Sequence, residues 1–170
     1  MLPALTHDGL LPPGRHKSTV VEVYDRFVKT APNRSERDDI FSAFELWRSR
    51  ALAEFGAGVL WINGGFVTHK AAAPHDLDLA FFPADLPLAE ASLLSGDGYQ
   101  LLTIQDLLFA MPRPGGWLRR VQPAVGLIDA FLARPGDALT WHGIWSSVKG
   151  PTGDLIPGKA KGYVEVVMSR

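Results

Sequence analysis

The chain has 170 residues, with 17 Lys and Arg against 18 Asp and Glu, a formal net charge of −1 and no cysteine. The charge balance lacks the basic excess of a typical nucleic-acid-binding protein, and the absence of cysteine excludes disulfides and thiolate metal sites. Since no segment approaches the roughly 18 continuous apolar residues of a membrane span, we expect a single cytoplasmic domain covering residues 1–170, with no membrane partner.

Two helices are predicted first along the chain. Thr19 and Glu22 have the spacing of a capping box, which predicts a helix over residues 20–29. From Ser35 to Phe55, apolar residues recur at steps of three or four, which predicts an amphipathic helix that ends at Gly56. The predicted buried face of this helix consists of Ile40, Phe44, Trp47, Ala51 and Phe55.

The remaining elements are mostly strands. Four segments are apolar or alternating enough to predict strands, and they are residues 59–63, 76–82, 125–133 and 163–168. Residues 103–111 predict a brief helix, residues 138–148 predict one or two helical turns, and the glycines and prolines of 149–162 predict a loop.

Two aspartates occupy alternate positions of the predicted strand at 76–82. Because side chains alternate along a strand, Asp76 and Asp78 project to the same face, where their charges repel. A divalent cation relieves that repulsion, and carboxylate oxygens suit a hard cation such as Mg²⁺ or Mn²⁺. The alternative is an edge strand whose aspartates are simply hydrated.

A glycine pair and a third acid surround this segment in the sequence. Gly64 and Gly65 follow an apolar strand, where a sharp turn lets backbone N–H groups approach a phosphate. Asp129 lies inside an otherwise apolar run, so its carboxylate needs a cation or an ion pair if that run is buried. A salt bridge to Arg119 or Arg120 is the alternative explanation.

The order of these features resembles the signature of the nucleotidyltransferase superfamily typified by DNA polymerase beta. That signature is a glycine followed by glycine or serine, a gap of about ten residues and an acid-x-acid strand. Gly64 and Gly65 match the glycine pair, Asp76 and Asp78 match the acid pair, and Asp129 is the candidate third acid.

The chain is also similar to a small bacterial and phage branch of that superfamily, over "GGFVTHKAAAPHDLDL", "GLIDAFLA" and "GKAKGYVEVV". The similarity touches most of the length, and only the first of these blocks is specific. The usual serine of the branch after the first glycine is Gly65 here, which removes one hydroxyl that could contact phosphate.

The resemblance implies an α/β (α+β) domain with a minimal nucleotidyltransferase fold, in which helices pack on one side of a short mixed sheet. It implies transfer of a nucleoside monophosphate from a nucleoside triphosphate (NTP) to an acceptor on a protein, an RNA or a small molecule. Asp76 and Asp78 would hold Mg²⁺ or Mn²⁺, and Asp129, beside the second metal, would help to activate the acceptor oxygen. The backbone of Gly64 and Gly65 would contact the triphosphate.

Several other side chains are candidates for the same site. Thr68 and Lys70 lie between the glycines and the aspartates, where a hydroxyl and an ammonium could reach phosphate. His75 with the two aspartates could form a zinc site, although a third nitrogen or sulfur ligand at helical spacing is missing. Lys159 and Lys161 could reach the site from the C-terminal loop, or could serve only solubility.

A second interpretation belongs to another functional class. A nucleotidyltransferase-like fold that keeps its acids could act without turnover, as an antitoxin, a phage interaction protein or a nucleotide sensor. The 170 residues leave little room for a separate acceptor-binding domain, which counts against full activity, whereas the presence of all three acids counts in favour of it.

Overall fold

The fold is built on one mixed five-stranded sheet. The structure, a computed structural model, describes residues 1–105, 107–108, 111–112, 119–120, 123–150 and 152–169, and within 104–120 only the backbone is described. The strands are β1 (Gly14–Ser18), β2 (Gly58–Asn63), β3 (Leu77–Pro83), β4 (Ile104–Gln105), β5 (Leu107–Leu108), β6 (Met111–Pro112), β7 (Arg119–Arg120), β8 (Ile128–Leu132), β9 (Ser147–Lys149), β10 (Leu155–Ala160) and β11 (Gly162–Met168). The α-helices are α1 (Val20–Tyr24), α2 (Arg34–Phe55), α3 (Leu86–Ser95) and α4 (Ala138–Ser146).

The two helices predicted near the N-terminus are confirmed. The Thr19 hydroxyl accepts from the Glu22 N–H at 3.2 Å, and the Glu22 carboxylate accepts from the Thr19 N–H at 3.2 Å, so the capping box opens α1. A π-helical turn over Asp25–Lys29 continues that helix. In α2 all five predicted face residues are buried, and the helix ends at Gly56, whose φ is +74°.

The main sheet has the order β1-β11-β2-β3-β8. The pairs β1–β11 and β3–β8 are parallel, while β11–β2 and β2–β3 are antiparallel, so the predicted mixed sheet is confirmed. The four predicted strands correspond to β2, β3, β8 and β11. Strand β8 begins later than the predicted segment because Ala124 and Val125 have φ of +50° and +58°, which forms a turn before it.

The two faces of the sheet carry different layers. One face buries the main core against α1, α2 and α3, so helices pack on the sheet as expected, but α4 lies on the opposite face and departs from the expected one-sided packing. The opposite face carries a smaller cluster under α4, formed by Trp61, Ala80, Phe82, Ala133, Trp145 and Tyr163. This second layer lies on the face to which Asp78 projects, because Asp78 alternates with Leu77 and Leu79 of the main core.

Two local predictions are wrong. The described residues within 104–111 form short strands instead of the predicted helix, Thr103 lies in a bend before them, and Asp106, Phe109 and Ala110 lie outside the described residues. The predicted loop at 149–162 contains β10, which pairs antiparallel with β9 to form a hairpin. In each case the strand forms because it pairs with another segment of the chain. Local propensity is a weak guide to the structure of such short segments. Helix α3 was not predicted from the sequence; Asp85 caps it through a bond of 3.0 Å from the Leu88 N–H.

None of the helices in the described part of the chain combines the length and hydropathy needed to cross a bilayer.

Candidate functional site

Three polar side chains form a row at one end of strands β2, β3 and β8. Asp78 on β3 is the register partner of Asn63 on β2 and of Asp129 on β8. Register partners on adjacent strands project to the same face, and strands lie about 4.8 Å apart. Asn63, Asp78 and Asp129 therefore lie side by side on the face covered by α4, and we call them the polar row.

Asp76 and Asp129, which sequence analysis assigned to the same site as Asp78, are its electrostatic neighbours. Asp76 lies one residue before β3, on the same face as Asp78. Burial, with the charges of Asp76 and Asp129, raises the pKa of Asp78 to about 6, while the charges of Lys161 and Lys149 oppose the rise. The structure therefore brings the three predicted acids into one electrostatic cluster, and Asp129 is 7% exposed.

The alternative partner of Asp129 remains a prediction. The side chains of Arg119 and Arg120 lie outside the described residues, although their backbone forms β7.

The glycine turn packs directly against the Asp78 carboxylate. Gly64 has a φ of +80°, and a Cβ there would overlap Oδ2 of Asp78 and lie 2.8 Å from its Cγ. A Cβ on Gly65 would meet only Pro74, at an ordinary 3.6 Å. The first glycine is thus required by both backbone conformation and space, whereas the second tolerates a side chain.

A buried arginine holds the loop that follows the glycines. The Arg37 side chain is 0% exposed, and burial lowers its pKa. Its guanidinium donates to the carbonyls of Phe27 (2.9 Å), Pro32 (2.8 Å), Phe66 (2.7 Å) and Thr68 (2.8 Å). The planar fork of an arginine can join several acceptors at once, so α2 fixes the path of the chain from β2 toward β3.

Thr68 stabilises the same loop through its hydroxyl. Its hydroxyl donates to the Gly65 carbonyl at 2.7 Å, and the residue is 2% exposed. Thr68 also lies outside the set of residues that line the neighbouring cavity. The hydroxyl therefore has a structural role in the turn, and a contact between Thr68 and a phosphate stays a prediction.

A cavity of about 250 Å³ opens beside the glycine turn. It is lined by Leu10, Asn63, Gly64, Gly65, Lys70, Asp78, Ile144, Trp145, Ser147, Val148, Lys149 and Lys161. Of the predicted ligand contacts, both glycines, Lys70 and Asp78 lie on this cavity, whereas Asp76 and Asp129 influence it through their charges.

Three lysines converge on the cavity from separate parts of the chain. Lys70 lies in the loop before β3, Lys149 ends β9, and Lys161 connects β10 to β11. The Lys161 ammonium donates to the Gly64 carbonyl at 3.3 Å, and burial lowers its pKa to about 8. Lys159, in contrast, pairs with Asp8 at 2.6 Å. The cavity therefore carries three ammonium groups next to one carboxylate.

The donor set is chemically suited to a hard divalent cation. Carboxylate oxygens are the ligands that Mg²⁺ and Mn²⁺ prefer. Burial and then the charges of Asp76 and Asp129 raise the pKa of Asp78, and such a cation would neutralise these like charges. Among the described residues, however, no three or more His, Cys, Asp or Glu side chains are grouped closely enough to hold a metal ion. That includes the combination of His75 with the aspartates.

Asn63 and Lys149 are among the residues of this site that sequence reasoning missed. Asn63 had a usable signal, since a polar residue ends the apolar strand directly before the glycine pair. Lys149 had none, because it reaches the cavity only through the β9–β10 hairpin that the sequence did not predict.

An α+β domain with an acid-bearing sheet face and a lysine-lined cavity is the class that the fold and site define. Residues 3–167 match the model of a family described as a family of unknown function, DUF6932, and the chain belongs to that family. No curated protein matches the chain, and no solved structure matches it.

Proposed function

We propose that the protein is a divalent-cation-dependent nucleotidyltransferase that moves a nucleoside monophosphate from an NTP to an acceptor. The observation that best supports this proposal is the position of Asp78. This residue packs against Gly64, is the register partner of Asp129 and lines a cavity together with three lysines. The glycine pair, the two-acid strand and the third acid are the features on which the resemblance to nucleotidyltransferases rests.

The charges of the site support a polyphosphate ligand bound together with a cation. Lys70, Lys149 and Lys161 supply positive charge to the cavity, where a triphosphate carries several negative charges. Asp76, Asp78 and Asp129 are the residues that would hold the cation, which when bound would neutralise the triphosphate and polarise the acceptor oxygen. Without a cation, the three acids would repel the same phosphates that the lysines attract.

The residues of the chain divide the remaining work. The backbone N–H groups of the Gly64–Gly65 turn would orient the phosphates, since a backbone dipole is directional where a point charge is not. Asp129 would accept the proton of the acceptor hydroxyl. The acceptor oxygen then forms a bond to the α-phosphorus as the bond to pyrophosphate breaks, so no covalent protein intermediate is required.

The α-phosphate tests this reaction directly. The protein is incubated with Mg²⁺ or Mn²⁺, host lysate and each of the four NTPs, labelled either at the α- or at the γ-phosphate. We expect label from the α-position, and not from the γ-position, to appear on a protein, RNA or small-molecule acceptor. The double variant Asp76→Ala/Asp78→Ala should abolish transfer, while Asp39→Asn, which removes an exposed carboxylate of α2, should not. Transfer from the γ-position would overturn the proposal in favour of a kinase.

Ligand binding offers a test that does not need the acceptor. A ligand that binds only the folded state at one hundred times its Kd raises the free energy of unfolding by about 2.7 kcal/mol. We expect Mg²⁺ with at least one NTP to raise the Tm, and Lys161→Met to reduce that rise. No shift with any of the four nucleotides would count against every nucleotide-based function.

A nucleotide-binding module without turnover is the second candidate, either as a sensor or as the partner of a toxin or phage protein. The absence of a three-ligand acid group among the described residues favours it. A wild type that binds Mg²⁺ and NTP, yet transfers no more label than the Asp76→Ala/Asp78→Ala variant, would support this candidate. Because either function uses NTPs, we propose a cytoplasmic location.

A further inference from the structure

Asn63 has an unusual place in the polar row. It is the last residue of β2, the register partner of Asp78 and the residue directly before Gly64. Asn63 lines the cavity and is only 5% exposed. A polar side chain buried to this degree normally has all of its hydrogen-bonding groups satisfied.

The orientation of the Asn63 amide is fixed by one hydrogen bond. Its Nδ2 donates to the Trp145 carbonyl at 3.1 Å, and a carbonyl can only accept, so the nitrogen must be at that end. The Oδ1 atom is therefore at the other end. It is buried and has no hydrogen-bond donor among the described residues. Burying an acceptor in this way costs free energy unless a ligand supplies its partner.

The neighbours of Asn63 indicate what that partner is. The next side chain in the row, Asp78, offers only acceptor oxygens when ionised. A ligand hydroxyl would supply one proton to one of these acceptors, whereas a divalent cation with its bound waters can serve neighbouring acceptors together. The ammonium group of Lys161, which also lines the cavity, donates to the Gly64 carbonyl.

We propose that Asn63 Oδ1 is a cation-binding oxygen, contacting a divalent cation directly or through a bound water beside Asp78. This proposal rests on the proposed function, because the cation is the one held by the three acids. An amide oxygen is a ligand type that Ca²⁺ and Mg²⁺ accept, and it is uncharged. Asn63 thus adds an oxygen to the site without adding to the repulsion among Asp76, Asp78 and Asp129.

Binding of Mn²⁺, followed by the electron paramagnetic resonance signal of the free ion, tests the proposal on purified protein. We expect Asn63→Ala to weaken Mn²⁺ binding at least tenfold and Asp78→Asn to abolish it. Asp39→Asn, which removes an exposed carboxylate of α2 far from the polar row in sequence, should bind like the wild type. Circular dichroism establishes that each variant is folded.

A charged replacement separates a cation ligand from a structural amide. Asn63→Asp loses the Nδ2 bond to Trp145, as the alanine variant does, but keeps an oxygen in the row. We expect it to recover Mn²⁺ affinity to within threefold of the wild type, and to gain a larger Mn²⁺-induced rise in Tm. Equal weakening in Asn63→Asp and Asn63→Ala would overturn the proposal, because the amide would then act only through Trp145.

The wild type supplies a measurement that does not depend on folding of a variant. The sequence contains two asparagines, and the Nδ2 of Asn33 also donates to a backbone carbonyl, that of Ala71, at 2.9 Å. We expect Mg²⁺ to shift the side-chain carbonyl ¹³C resonance of Asn63 and to leave that of Asn33 unchanged. An unshifted Asn63 resonance at saturating Mg²⁺ would overturn the proposal.

The outcomes also separate this proposal from the proposed function. If the wild type binds Mn²⁺, Asp78→Asn does not, and Asn63→Ala binds within twofold of the wild type, only the role of Asn63 fails. If the wild type binds no divalent cation with or without NTP, both fail.

Discussion

Asp78 carries a charge in surroundings that disfavour it. Burial and two neighbouring acids raise its pKa to about 6, so the carboxyl group is mostly ionised at pH 7 at the expense of stability. A group whose folded pKa is raised stabilises the folded state fully below its unfolded pKa of about 3.8. That contribution is lost as the pH rises through 6. Such an arrangement is typical of a site kept for a ligand.

Replacement of Asp78 should therefore stabilise the free protein. We expect Asp78→Asn to raise the free energy of unfolding by about 1–3 kcal/mol at pH 8, since each pKa unit corresponds to about 1.4 kcal/mol. The gain should shrink as the pH falls below about 6, toward the unfolded pKa of about 3.8. Urea denaturation between pH 5 and pH 8 without divalent cations measures it, with Asp39→Asn as a variant whose effect should stay flat. A destabilised Asp78→Asn at pH 8 would show that the charge is compensated.

The two glycines of the turn should respond differently to a methyl group. We expect Gly64→Ala to lower the free energy of unfolding by at least about 2 kcal/mol, because its φ of +80° is left-handed and its Cβ would overlap Asp78. Gly65→Ala should change it by less than about 0.5 kcal/mol. Thermal denaturation of both variants checks the contrast, and equal effects would contradict the geometry of the turn.

At the scale of elements, helix α2 and the loop before β3 are joined by Arg37. Its guanidinium donates hydrogen bonds to four backbone carbonyls that would otherwise need water as a donor. Two of these carbonyls precede α2, and the other two belong to the loop after the glycines. The loop is thus positioned by a helix on one side of the sheet, while its glycines serve the cavity on the other side.

Loss of this guanidinium should cost much of the stability of the domain. We expect Arg37→Met to lower the free energy of unfolding by at least about 3 kcal/mol, because each buried carbonyl left without a donor costs about 1–3 kcal/mol. Arg37→Lys should recover little, since an ammonium cannot reach four acceptors in a fork. Arg48→Ala, which removes only a surface pair with Glu45 at 2.8 Å, should cost less than about 1 kcal/mol. Urea denaturation distinguishes the three variants. A small loss of stability in Arg37→Met would contradict the proposed role of this guanidinium in holding the loop.

At the scale of the whole molecule, the central strands of the main sheet are protected, whereas strand β10 of the β9–β10 hairpin is exposed. Strands β2, β3 and β11 have neighbours on both sides, whereas all six residues of β10 are exposed. Lys149 and Lys161 belong to this hairpin and to its junction with β11, so a part of the cavity is contributed by the less protected element.

Hydrogen exchange should follow this division. We expect amides of β2, β3 and β11 to exchange only by global unfolding, and those of β10 to exchange by local opening at least a hundredfold faster. Mg²⁺ with a bound NTP should slow exchange in the hairpin more than in the centre. Mass spectrometry of peptides after labelling measures both. Protection of β10 equal to that of β2 would contradict this prediction.

The local chemistry of the chain was enough to predict α2, the capped start of α1, the central strands and the mixed α+β class. These features depend on periodicity and capping, which act between residues a few positions apart. The glycine pair and the three acids could also be recognised in the sequence as candidate site residues, because each interrupts an otherwise apolar pattern.

The tertiary structure decided which of these residues meet. Asn63, Asp78 and Asp129 form one row only because β2, β3 and β8 pair in a particular register, and register depends on packing of the whole sheet. The hairpin that delivers Lys149, and the second layer under α4, likewise depend on contacts between distant segments. The sequence thus identifies the candidate functional groups, while packing between distant segments determines which of them become neighbours.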